Sequence, residues 1–261
     1  MGPFYVEVGF VCLDALAGRI THSSKLERQK TIGTEITARA TTHSARATAA
    51  RWGSWAVLGI VFLAALWQGS EFASTKNSST FWGASLGLAL KRKKICKKII
   101  GIDTSKQNLR DAYSIKAIDE KRAKIDKRIK KSSVIFICTP VSLIDKIIYK
   151  LSHFTEKNQI ISDVGSVKNI FEKKTLKLND KKFSLVPGHP IAGTEHSGAK
   201  NALNSLFQDK WCILTPISDN KKSIRIIGEI WKRIGMKVAT MKVNEHDKIM
   251  SITSHLPHLI A

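Results

Sequence analysis

The sequence predicts an α/β protein built on a doubly wound, parallel sheet. From Lys97 onward, short runs of β-branched residues alternate with segments in which apolar residues recur every three or four positions. The runs are typical of strands buried on both faces, and the periodic segments are typical of helices with one apolar side. Regular alternation of strand and helix makes the strands parallel, joined by right-handed crossovers.

The individual elements follow from these two patterns. Residues rich in Ile, Val and Phe predict strands at 99–102, 134–137, 160–162, 183–186 and 236–241. One apolar stripe predicts a helix between Val141 and Phe154, and a second stripe, from Ile224 to Ile234, predicts another. A further helix is expected to begin at Asn244.

Composition narrows the class of protein. The formal net charge is +22, but the lysines are dispersed over many segments instead of being gathered with arginine and aromatic residues. A solvated basic surface explains this better than a nucleic-acid-binding module, the alternative that salt-dependent retention on DNA would reveal. The four cysteines stand far apart without metal-binding spacing, so we expect no disulfide framework and a reducing, cytoplasmic environment.

The composition of the chain changes between Ser70 and Lys91, from Ala, Thr and Arg to Ile and Lys. We therefore treat residues 1–75 as an unassigned segment, unrelated to the rest. Within it, Trp52–Gly69 is uncharged and flanked by tryptophan, at the lower limit of length for crossing a bilayer. Three interpretations stay open: a membrane anchor, a join of unrelated sequences, and a buried helix.

Small and polar residues follow the predicted strands, at the sheet edge where such folds bind ligands. Asp103 ends one strand, 20 residues after Gly83, which is the separation expected of a carboxylate that accepts hydrogen bonds from a ribose. A carboxylate there would repel a 2′-phosphate, so NAD is favoured over NADP. The alternative for Asp103 is a helix N-cap.

The glycine-rich loop of a dinucleotide site is incomplete. Gly83 matches the third glycine of Gly-x-Gly-x-x-Gly, whereas the first two positions fall on Ser78 and Thr80. The residues before them are polar where an apolar first strand should run. Either that strand has been replaced, or another segment of the chain takes its place.

Three motifs carry a resemblance to a known family. They are DVGSVK at 163–168, GHPIAGTE at 188–195, and His246-Asp247 followed by SHLPH at 254–258. From about Phe81 to Ala261 the chain resembles the prephenate/arogenate (cyclohexadienyl) dehydrogenases, NAD(P)-dependent enzymes of tyrosine biosynthesis. The resemblance implies that hydride passes from C4 of a cyclohexadiene to nicotinamide while carbon dioxide departs and the ring becomes aromatic.

The resemblance also implies site residues. His189 would accept the hydroxyl proton, with Ser166 hydrogen-bonded to it beside the nicotinamide. Residues expected to bind the cofactor are Gly83, Asp103, Thr139, Pro140 and Ser166, and those expected on the substrate side are Glu195, His246, His255 and His258. A metal site formed by the last three histidines is the alternative, but HExxH and a nearby Cys or Asp partner are missing, so no metal is expected.

The resemblance implies a dinucleotide-binding domain at 76–242 and, at 243–261, the start of a helical substrate and dimerisation domain. In the family that helical region continues, makes a homodimer and supplies an arginine for the substrate carboxylate. We expect this chain alone to be weakly active or inactive. The alternative is an incomplete, non-catalytic fragment or fusion, tethered to a membrane through 52–69; a different hydroxyacid dehydrogenase would need a catalytic lysine pattern that we do not find.

Overall fold

A computed structural model describes residues 6–11, 80–193 and 198–255, the first of these ranges by its backbone alone. Within these ranges, six parallel strands form one sheet: β1 (Val6–Val11), β2 (Cys96–Ile102), β3 (Glu120–Arg122), β4 (Val134–Ile137), β5 (Ile160–Asp163) and β6 (Ser184–Leu185). Their spatial order is β3-β2-β1-β4-β5-β6. This order reverses direction between β1 and β4, as in dinucleotide-binding sheets, and the predicted fold class is confirmed.

The central strand comes from the beginning of the chain. Val8 pairs with Ile99 of β2 on one side and with Val134 of β4 on the other. This corrects the domain boundary at residue 76, because 6–11 supply the first strand that was missing before Gly83. The segment VEVGFV suits a buried strand because it is mostly apolar and partly β-branched.

The remaining predicted features of the N-terminal segment, including the apolar stretch 52–69, lie outside the described residues. Among the helices that are described, none has both the length and the apolar character needed to cross a bilayer.

Helices flank the sheet, and polar side chains cap the starts of two of those described. Residues 80–92 are helical (α1), and the following helices are α2 (Lys106–Ser114), α3 (Val141–Leu151), α4 (Lys173–Leu176), α5 (Lys221–Arg233) and α6 (Val243–Met250). The Ser105 hydroxyl accepts from the Asn108 N–H at the start of α2, and Asn220 caps α5 in the same way. The helices predicted from the two apolar stripes, α3 and α5, are both present.

A second, smaller sheet differs from the prediction. In the described chain it has three strands, β7 (Gly188–Ile191), β8 (Trp211–Leu214) and β9 (Lys237–Thr240), with β8 antiparallel to β7 and parallel to β9. A single doubly wound sheet would have included the predicted strand at 236–241, and no strand was predicted at 188–191. Pro190 makes 188–191 look unlike a strand, but β7 lies at a sheet edge, where proline is tolerated.

The core holds the second sheet against the first. Alternate residues of β4 face opposite sides of the main sheet, and Phe136 belongs to the side that packs against α5. Its ring meets Trp231 edge to face, with ring centroids 5.7 Å apart, and both side chains are completely buried. The contact joins the main sheet to the helix between β8 and β9, so β7 is held near the carboxyl end of the main sheet.

Two helical glycines test this packing. A methyl group at Gly87 in α1 would lie 2.4 Å from the Ala117 carbonyl oxygen, whereas one at Gly228 in α5 would meet only the Leu214 side chain at 3.8 Å. We expect Gly87→Ala to lower the free energy of unfolding by about 1–3 kcal/mol. Gly228→Ala should raise it by roughly 0.5–1 kcal/mol through helix propensity. Urea denaturation measures both, and equal shifts for the two variants would contradict the packing of α1.

Candidate active site

Three buried polar residues mark the carboxyl ends of neighbouring strands. Asp103 follows β2, Thr139 follows β4 and Asp163 ends β5, and all three side chains are buried. Ile137 pairs with Asp163, so the last two strands end at the same level. Parallel sheets bind ligands at this edge, and the polar residues predicted to follow the strands are therefore on the side where a cofactor would lie.

Asp103 lines a cleft at the end of β2. Gly83 and Thr80 of α1 line the same cleft, so the structure brings two predicted cofactor residues, Gly83 and Asp103, together. Asp103 accepts hydrogen bonds from the Ser105 N–H at 2.7 Å and from Asn108 Nδ2 at 3.2 Å. Because Ser105 is the residue that caps α2, the N-cap alternative for Asp103 is excluded.

Thr80, at the second glycine position of the expected loop, is helical and buried. Its Oγ1 accepts from Asn108 Nδ2 at 2.9 Å, so this amide links the threonine to Asp103. The helix therefore reaches residue 80 instead of leaving an open glycine turn there.

Thr139 and Pro140 lie at the start of α3. Pro140 is the N-cap residue of α3, and no side chain caps that helix. The Thr139 hydroxyl is buried and has no hydrogen-bond partner within the part of the chain that the structure describes. A buried hydroxyl without a partner is costly unless a bound group satisfies it. Both residues are thus at the expected edge, while their part in cofactor binding stays a prediction.

His189 bonds to a second histidine, which in turn bonds to a carboxylate. Its Nδ1 is 2.9 Å from Nε2 of His246, and Nδ1 of His246 is 2.7 Å from Oδ1 of Asp247. Asp247 also accepts from the backbone N–H groups of Lys168, at 2.9 Å, and Asn169, at 2.7 Å. Partial burial acts to raise the pKa of Asp247, but the hydrogen bonds from His246 and these two N–H groups outweigh it, so this pKa lies below its usual value.

Lys168 is completely buried. Its ammonium donates to Asp163 Oδ2 and to the Gly188 carbonyl oxygen, both at 2.6 Å. Burial lowers the pKa of Lys168, and the adjacent Asp163 carboxylate opposes that shift. Lysine is almost never fully buried unless it is paired. The Lys168 ammonium group therefore links the end of β5 to Gly188, the residue before His189.

The other predicted site residues have different outcomes. His246 has no exposed surface, and its ring nitrogens bond to His189 and Asp247, while its place on the substrate side stays a prediction. Ser166 is half-buried, and the partner of His189 Nδ1 is His246 instead of Ser166; a role for Ser166 stays a prediction. Glu195, His258 and the side chain of His255 lie outside the described residues.

Sequence reasoning missed Asp163, Lys168 and Asp247 as parts of the site. All three stand inside the motifs that carried the resemblance, but neither their burial nor their mutual contacts can be read from spacing. The described ranges contain no group of three or more His, Cys, Asp or Glu side chains that could hold a metal ion.

The buried ion pair between Lys168 and Asp163 should make a large contribution to the free energy of unfolding. We expect Lys168→Met to lower the free energy of unfolding by about 3–5 kcal/mol, because Asp163 would keep a buried charge without its partner. Adding Asp163→Asn should recover part of this loss. Lys174→Met is the control, since Lys174 pairs with Glu172 at the exposed surface, where an ion pair contributes little to stability. A loss for Lys168→Met no larger than the control, in chemical denaturation, would contradict the pairing.

Comparison with known proteins agrees with this architecture. The model of the family "prephenate dehydrogenase, nucleotide-binding domain" matches residues 86–240. Cyclohexadienyl dehydrogenase of Zymomonas mobilis is 36% identical over 138 residues, which are 52% of this chain and 47% of that protein. Prephenate dehydrogenase of Bacillus subtilis is 31% identical over 181 residues, which are 69% of this chain and 49% of that protein.

Among solved structures, prephenate dehydrogenase of Aquifex aeolicus in complex with hydroxyphenyl propionate and NAD+ has a TM-score of 0.64 at 32% identity. The match covers 69% of this chain and 63% of that one. The chain spans about half the length of the curated relatives it matches. The family match covers more than half of this chain, and the chain therefore belongs to the prephenate dehydrogenase family through its nucleotide-binding domain.

Proposed function

We propose that this protein catalyses the NAD-dependent oxidative decarboxylation of prephenate, or of its amino analogue arogenate, in tyrosine biosynthesis. The observation that carries the proposal is the placement of His189. In a chain of this family, His189 is a buried imidazole beside the carboxyl end of β5. Its Nδ1 bonds to His246, and Lys168 bonds to the carbonyl oxygen of Gly188, the residue before it. A neutral imidazole that is held in position is suited to accept a hydroxyl proton.

The described residues fit the adenosine end of NAD. The cleft beside Asp103 has an apolar wall formed by Ile102, Leu109 and Ile118 and a carboxylate at its edge. That combination suits an adenine ring and a ribose with two free hydroxyl groups. At the neighbouring strand tip, the buried Thr139 hydroxyl would gain a partner from the bound cofactor.

The charges around Asp103 favour NAD over NADP. A 2′-phosphate would bring negative charge to the Asp103 carboxylate and would need a cation nearby. One neighbouring cation is Arg122, whose carbonyl oxygen accepts from the Asp103 N–H at 3.1 Å. Its guanidinium is already paired with Glu120 and Asp126. Binding a phosphate there would require these ion pairs to break.

The reaction needs a group that takes and returns one proton. Bound NAD supplies an oxidised nicotinamide that accepts hydride from C4 of the substrate. As the hydride leaves, His189 takes the hydroxyl proton and the C4–O bond gains carbonyl character. The electrons of the breaking carbon–carboxylate bond then enter the ring, and His189 returns its proton to the phenolic oxygen. The reaction therefore takes up and releases no net proton, and its products are carbon dioxide, reduced nicotinamide and an aromatic ring.

We also propose that the enzyme acts as a homodimer, as the family resemblance implies. Nucleotide binding and turnover are separable parts of this proposal, because the first rests on Asp103 and Thr139 and the second on His189. Separate experiments therefore test them.

Nucleotide binding is tested with Asp103→Asn. We expect the chain to bind NADH more tightly than NADPH, measured by fluorescence of the reduced nicotinamide. The variant should bind NADH about tenfold or more weakly and lose most of the preference, because hydrogen bonds to a charged acceptor contribute about 1.5–3 kcal/mol. Asp219→Asn, at an exposed carboxylate, is the control. Unchanged affinity and preference in Asp103→Asn would show that the ribose binds elsewhere.

Turnover is tested with His189→Asn. With NAD and either prephenate or arogenate, we expect the chain to produce reduced nicotinamide at a low rate, in keeping with the weak activity expected of this chain alone. The variant should be at least about 100-fold slower at unchanged NADH affinity. His153→Asn, an exposed histidine after α3, should behave like the unaltered chain. Persistent activity in His189→Asn would refute the assigned role. Nicotinamide binding without turnover of either substrate would refute catalysis by this chain and leave the nucleotide site standing.

A further inference from the structure

We propose that Asp247, acting through His246, is a positioning residue that fixes the tautomer of His189, so that Nε2 of His189 is the nitrogen that accepts the substrate proton. The inference rests on the proposed function for the use of that nitrogen. The tautomer itself is a property of the protein alone and can be observed without substrate or cofactor.

Asp247 acts only as a hydrogen-bond acceptor. Its two oxygens receive the backbone N–H groups of Lys168 and Asn169 together with Nδ1 of His246. Three hydrogen bonds from donors stabilise the ionised carboxylate, in agreement with its lowered pKa. An ionised carboxylate has no proton to donate, so the proton between Asp247 and His246 belongs to Nδ1 of His246.

The position of the proton on His246 determines the position of the proton on His189. A neutral imidazole carries one proton, and His246, which has no exposed surface, already carries its proton on Nδ1. Its Nε2 is therefore an acceptor, and the atom 2.9 Å away, Nδ1 of His189, must donate to it. The single proton of His189 then lies on Nδ1, which makes Nε2 the basic nitrogen.

Lys168 fixes the geometry of this chain of hydrogen bonds. Lys168 contributes to it twice, through its backbone N–H to Asp247 and through its ammonium to the Gly188 carbonyl oxygen. One residue thus anchors the carboxylate that orients the ring and the backbone that carries the ring. The rings of His189 and His246 meet edge to face, with centroids 5.1 Å apart, which also restricts rotation.

Asp247→Asn should reverse both tautomers. The amide oxygen is needed by the two backbone N–H groups, so the amide NH₂ would face Nδ1 of His246. His246 would then accept at Nδ1 and donate from Nε2, and His189 would be protonated at Nε2. An equivalent carboxylate-to-amide change in a Ser-His-Asp triad leaves the geometry intact and removes about 10⁴-fold of the rate through the wrong tautomer.

The test is a long-range ¹H–¹⁵N correlation spectrum of the full chain labelled with ¹⁵N-histidine. His189→Asn and His246→Asn assign the two rings among the eight histidines. We expect Nδ1 to be protonated on both rings in the unaltered chain and Nε2 to be protonated on both in Asp247→Asn. Glu245→Gln, at an exposed carboxylate of the same helix, should leave the spectrum unchanged.

The outcomes separate this inference from the proposed function. An Nε2-protonated or doubly protonated His189 in the unaltered chain at neutral pH would overturn it, whether or not Asp247→Asn folds. Where the chain turns over substrate, Asp247→Asn should lower kcat by about 10²–10⁴-fold with little change in KM. A smaller folded fraction would lower kcat in the same way, and the change of tautomer in the spectrum of the folded variant separates the two causes. The expected tautomers in a chain without turnover would sustain the inference and refute the catalytic proposal.

Discussion

A buried ammonium group joins the main sheet and the small sheet at the candidate site. Lys168 has no exposed surface, so its charge must be balanced inside the protein, and it is balanced by Asp163 at the end of β5 and the Gly188 carbonyl group at the start of β7. The same residue binds Asp247 through its backbone N–H. The main sheet, the small sheet and α6 are therefore joined at one residue, and His189 lies next to this junction.

The proposed hydride transfer depends on this junction. The main sheet alone offers a nucleotide edge with Asp103 and Thr139 but no base. The small sheet alone places His189 on an edge strand without any cofactor site. Packing of Trp231 on Phe136 and the pairing of Lys168 with Asp163 hold β7 at the carboxyl end of β5. A proton acceptor is thereby held beside the edge where a nicotinamide would lie.

Much of this arrangement could be predicted from local patterns. Periodicity located the main strands and helices, and Asp103 and His189 stood out because their neighbours in sequence form recognisable motifs. The strand 6–11 could not be predicted in its place, because a strand and its following helix are normally adjacent in sequence. β7 was hidden by Pro190, whose acceptability depends on an edge position that only the tertiary fold defines. Lys168 and Asp247 were missed because charged residues are expected at the surface, and burial emerges from long-range packing.

The central claim is that His189 lies where a nicotinamide and a substrate hydroxyl group meet. A crystal structure of the chain with NAD and hydroxyphenyl propionate would test it most directly. The account predicts the adenosine ribose on Asp103, the nicotinamide beside the tips of β4 and β5, and the phenolic oxygen in hydrogen-bond contact with the His189 ring. A dinucleotide bound away from Asp103, or a phenolic oxygen remote from His189, would contradict it.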